Sequence, residues 1–113
     1  KAEADKAIAE ARQKAQQLID EANRQGELLR NEAKKQGDRL IAEADNQGNK
    51  LINEANNPIA KVAAKKTAEK LHKEAVDKAN KLNLEADQKA NDLVNKAKMQ
   101  GDQIIKAAEE KYK

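Results

Sequence analysis

His72 is the only histidine in the 113 residues, and Glu69 precedes it by one helical turn. A histidine beside a carboxylate is the smallest unit that could move a proton or begin a metal site. Both tasks need more: a base needs a substrate pocket and a partner acid, and a metal needs several convergent ligands. The chain has no cysteine and no serine, so thiolate ligands, disulfides and a serine nucleophile are excluded. No glycine-rich loop follows a strand pattern, so no phosphate cradle can be placed. The pattern predicts no catalytic, metal or cofactor residues and a non-enzymatic protein, with His72 a partly covered side chain on a helix.

Charge offers a different chemistry. Residues 1–57 hold 10 basic and 11 acidic side chains, whereas residues 58–113 hold 13 lysines and 9 acidic side chains. Five of those lysines (Lys61, Lys65, Lys66, Lys70 and Lys73) follow Pro58 closely, with Glu69 the only acid among them. Such a cluster could serve as a patch for an anionic surface or an acidic protein, or simply as a solubilising end. Nucleic acid is not expected, because the net charge is only +3 and aromatic stacking platforms are missing.

Composition says what kind of scaffold must carry these groups. The chain is 38% charged and 38% hydrophobic, but the hydrophobic part is largely alanine, with one tyrosine, no phenylalanine and no tryptophan. A globular core built on large aromatics is therefore excluded, and an elongated helical protein is indicated. No apolar run approaches the roughly 18 to 20 residues needed to span a bilayer. The first residue is Lys1 rather than methionine, which leaves room for an upstream signal or lipid anchor.

The pattern repeats every 11 residues. Ala11, Ala22, Ala33, Ala44 and Ala55 head successive blocks, and the first four are followed four places later by a small residue (Ala15, Gly26, Gly37, Gly48). Seven places after those alanines stand Leu18, Leu29, Leu40 and Leu51. These offsets share one helix face, since three turns take about 11 residues. A period of about 3.67 residues per turn predicts helices winding with a right-handed supercoil. The glycines keep one phase of the repeat, which predicts close backbone packing rather than helix breaks.

The same grammar returns in Ala64, Ala75, Ala86, Ala97 and Ala108, but Ala55 and Ala75 are 20 residues apart, not 22. A straight helix would therefore turn Lys66, Lys70, Lys73, Glu74 and Asp77 inward. Between the two phases stands "NNP", residues 56–58, with the only proline. Proline breaks a helix interior yet suits a first turn. The segment predicts a reversal in which Asn56 takes the left-handed conformation, Asn57 caps the second helix and Pro58 opens it.

The predicted fold is thus all-α: a long antiparallel helical hairpin forming a right-handed 11-residue-repeat coiled coil, one elongated domain over 1–113. Helix 1 runs about 1–55, the turn about 56–58 and helix 2 about 59–113. Pairing positions whose numbers sum to 115 places a large residue against a small one at each level, for example Leu40 on Ala75 and Ala33 on Leu82. Ile59 and Val62 resist the scheme, fitting the phase of the first arm. Arg30 and Asn83 stand where an aliphatic residue is expected, as a candidate polar layer setting register. Each sits beside an off-pattern leucine, Leu28 or Leu84.

The blocks "AKKQGDRLIAEADNQGNKLINEA" and "ADQKANDLVNKAKMQGDQIIKAA" resemble the 11-residue-repeat helices of the peripheral stalks of rotary ATPases, such as the b subunit of bacterial ATP synthase. Those stalks are parallel helix dimers without a central "NNP", a departure that argues against membership. The "NPIAKVAAKK" segment and equal arms are similar to uncharacterised coiled-coil hairpins of bacterial envelopes, especially in Bacteroidetes, and that resemblance implies a periplasm-facing envelope location. A third similarity is to late-embryogenesis-type stress proteins, which share the period. The resulting expectation is a spacer or scaffold that self-associates, a dimer of hairpins being favoured because a two-helix pair covers its large side chains only by half. The alternative is a membrane-surface or stress-protective amphipathic protein.

Overall fold

A computed structural model of residues 1–113 contains two helices and no strand: α1, Ala2–Glu54 (53 residues), and α2, Pro58–Lys111 (54 residues). They form the antiparallel helical hairpin that the phase slip predicts. Alanine, and Lys, Glu, Gln and Leu, which carry no branch at Cβ, are strong helix formers, and they carry both arms past isolated glycines that each cost about 1 kcal/mol against alanine. The free helix ends are complemented locally. Glu3 and Asp5 lie in the first turn of α1, and Lys111 lies in the last turn of α2, the signs favoured by the helix dipole.

Two compact units make up the chain. One holds residues 1–29 with 87–113, and the other holds residues 30–86 with the reversal. In each, an outgoing segment packs against a returning one through a seam of small residues. In the first unit Ala11, Ala15, Ala22, Ala90 and Ala97 are buried, and in the second Ala33, Ala75, Ala79 and Ala86. Within an arm these recur at the expected interval, as Ala11, Ala22 and Ala33 or Ala75, Ala86 and Ala97. No large side chain is fully buried; Leu18, Ile19, Leu40, Ile41, Leu71, Leu82, Leu93, Val94, Ile104 and Ile105 are half-buried.

The register departs from the large-on-small pairing by one residue. Gly26 lies on Ala90 and Gly101 on Ala15 in the first unit; Gly37 lies on Ala79 and Gly48 on Ala68 in the second. Each pair of numbers sums to 116, so at these four levels small meets small, while the same register sets Ile41 against Ala75, Ile52 against Ala64 and Val94 against Ala22, still large on small. The physical reason is the glycine itself. Without a Cβ it lets the facing alanine come into backbone contact.

The reversal also sits one residue earlier than expected. α1 stops at Glu54, and Pro58 opens α2 as its first helical residue, so the connection is Ala55, Asn56 and Asn57. The Ala55 N–H donates to the Ile52 carbonyl at 3.3 Å, a three-residue closure that tightens the last turn. Asn56 does not adopt the left-handed conformation; no residue in the chain has positive φ. With the last turn of α1 closed by its own backbone and the residue before proline held extended, a left-handed step is not required.

Candidate functional site

Unit 2 gathers the groups that could do chemistry or make contacts, and its geometry starts from Asn57. The Asn57 Oδ1 accepts from the Ala60 N–H at 2.8 Å, and its carbonyl accepts from the Lys61 N–H at 3.0 Å. This is an N-cap followed by proline at the first helical position, where a missing N–H costs nothing. The cap sets the direction in which α2 leaves the turn, and so the direction of every side chain that follows.

Successive residues of a helix turn by about 100°. With Ala64, Ala68, Leu71 and Ala75 on the seam side, the opposite face carries Ile59, Val62, Ala63, Lys66, Lys70 and Lys73. Ile59 is 84% exposed and Val62 55%. Pro58, Ile59, Val62, Ala63 and Lys66 line a shallow groove there. The lysines that a straight helix would have driven inward are thus on the outside, and so are the two aliphatic residues that shared the first arm's phase. Lys61 and Lys65 are exposed as well.

On the flank of the seam, His72 Nδ1 lies 2.7 Å from Asp45 Oδ1, a contact between the two arms. Both side chains are about half exposed, at 52% and 45%. In the tautomer with a proton on Nδ1 the ring donates to the carboxylate. Glu69 lines the neighbouring groove with Ile52, Lys65, Ala68 and His72. Sequence reasoning paired His72 with Glu69 along its own helix and missed Asp45, because a partner 27 positions away becomes visible only once the register is known. No group of three or more His, Cys, Asp or Glu is placed to hold a metal ion.

Elsewhere the polar groups form local helix-surface pairs. Arg24 donates to Glu21 through both Nε, at 3.1 Å, and an Nη. The hydrogen bond from Arg24 holds the Glu21 carboxyl below its usual range, and Glu21 raises Arg24 in turn. Gln16 donates to Asp20 at 2.9 Å. Of the two residues of the candidate polar layer, Arg30 is exposed and Asn83 half-buried. No helix is long and apolar enough to cross a membrane.

No protein-family model matches the chain, and no curated protein or solved structure matches it either. The geometry above provides a capped reversal, a seam closed by alanine and glycine, half-buried aliphatic flanks and one outward face combining lysine with isoleucine and valine.

Proposed function

We propose that this chain is a non-enzymatic structural protein, a coiled-coil spacer or scaffold whose hairpins pair into a four-helix assembly with right-handed, 11-residue winding. The observation that carries the reading is the contrast in burial. Every buried hydrophobic residue is alanine, while Leu29 and Leu51 remain 37% and 39% exposed and the other seam-side leucines are only half covered. A seam of small residues brings two helices close but removes little apolar area from water, and the benefit of burial scales with that area at about 25 cal/mol per Å². A second hairpin laid against the aliphatic flank would cover the leucines that the first leaves wet.

Sedimentation equilibrium at micromolar concentration tests this. The expected result is a species of twice the chain mass, shifted toward monomer by Leu29→Gln with Leu51→Gln. A stable, fully helical monomer would overturn the reading.

A further inference from the structure

We propose that the hairpin tip docks on an anionic lipid bilayer, with Ile59 and Val62 entering the interface and Lys66, Lys70 and Lys73 lying against the headgroup phosphates. The inference goes beyond self-association and uses a different face of α2, opposite the seam.

Three observations carry it. First, Ile59 and Val62 contribute nothing to the seam. They are 84% and 55% exposed, on the face directed away from α1, and they line a groove with Pro58, Ala63 and Lys66. Secondly, the same face continues in Lys66, Lys70 and Lys73, against a single acidic side chain between Pro58 and Lys73, Glu69, which stands at the edge of the face about 20° round the helix from Val62 and also lines the groove beside His72. Thirdly, the charge runs against ordinary helix design. The first turn of α2 contains no acidic residue, although an acid there would be favoured by the helix dipole. Lys61 stands in that turn instead, with Lys65 and Lys66 one turn further on.

The chemistry of the patch favours a bilayer over an acidic protein. All five cations are lysines, compact charges that meet phosphate without the fixed two-pronged geometry of arginine. The patch has no aromatic or arginine anchor of the kind that concentrates binding energy in protein interfaces. Small aliphatic side chains inserted beside a lysine cluster combine the two signals that hold a protein at a membrane surface, apolar insertion and attraction to anionic lipid.

Cosedimentation with vesicles tests the proposal, using the whole chain and comparing vesicles containing about one-third phosphatidylserine, a strongly anionic surface, with pure phosphatidylcholine. Binding is expected only to the anionic vesicles and is lost at high salt, where charges are screened. Lys66→Gln, Lys70→Gln and Lys73→Gln together should weaken it about a hundredfold, at about fivefold per lysine. Ile59→Ser with Val62→Ser should weaken it about tenfold. All these positions are exposed, and circular dichroism should show unchanged helix in each variant, with no helix gained on adding lipid. Absence of binding to the anionic vesicles, or binding indifferent to both sets of substitutions, would overturn the proposal. So would equal binding to soluble polyphosphate with no dependence on Ile59 and Val62, which would assign a dissolved polyanion instead. Sedimentation without lipid decides self-association separately.

Discussion

Gly48 faces Ala68 so closely that a Cβ placed on the glycine would stand 2.7 Å from the Ala68 Cβ and 3.2 Å from its Cα. Neither atom is the end of a flexible side chain, so the contact is relieved only by moving one helix away from the other. The glycine therefore contributes through its partner on the other arm, and this outweighs its poor helix propensity.

Gly48→Ala gains about 1 kcal/mol of helix propensity but overpacks the seam at a cost of about 1 to 3 kcal/mol. The expected outcome is a net loss of about 1 kcal/mol in a urea melt. Adding Ala68→Gly should recover part of the loss by reopening the same space. Gly26→Ala, whose Cβ would be 3.0 Å from the Ala90 Cβ, should cost less. A Gly48→Ala protein more stable than the parent would show that the close approach is not what keeps the glycine.

Asn57→Ala removes the side-chain acceptor that holds the Ala60 N–H and should cost about 1 kcal/mol, with Asn57→Asp nearly neutral and Asn57→Gly costing a few tenths. Thermal melting followed by circular dichroism ranks the three. An alanine variant melting with the parent would remove Asn57 from the forces directing α2.

The His72 to Asp45 contact joins the arms but is half exposed, so it should be worth no more than about 0.2 to 1 kcal/mol. A double-mutant cycle with His72→Gln and Asp45→Asn measures it. Coupling of several kcal/mol would mean that the flank is covered in the assembled protein.

Glu21 is held below its usual value chiefly by the hydrogen bond from Arg24. Because the folded-state value is depressed, the pair's contribution is present above the unfolded-state value and fades as pH falls through the folded one. The carboxyl resonance of Glu21 should titrate at lower pH in the parent than in Arg24→Gln. Identical midpoints would mean that the pair does not persist in solution.

Much of this architecture is legible in the chain because it rests on local rules. The 11-residue spacing of Ala11, Ala22 and Ala33, the 20-residue step from Ala55 to Ala75 and the Asn-Pro pair together predict two helices, their seam and the reversal. Helix periodicity, capping and the backbone limits of proline act over only a few residues, so a linear reading suffices. Tertiary structure decided what depends on how the arms meet. Gly48 chose Ala68, and the register moved by one residue, because the glycines take the facing alanines into backbone contact. Asp45 became the partner of His72 through that register, and Asn56 kept a negative φ because the last turn of α1 closes on itself. Ile59 and Val62 fitted the phase of the first arm, but they lie on α2 past the reversal and are turned outward, beside the lysines.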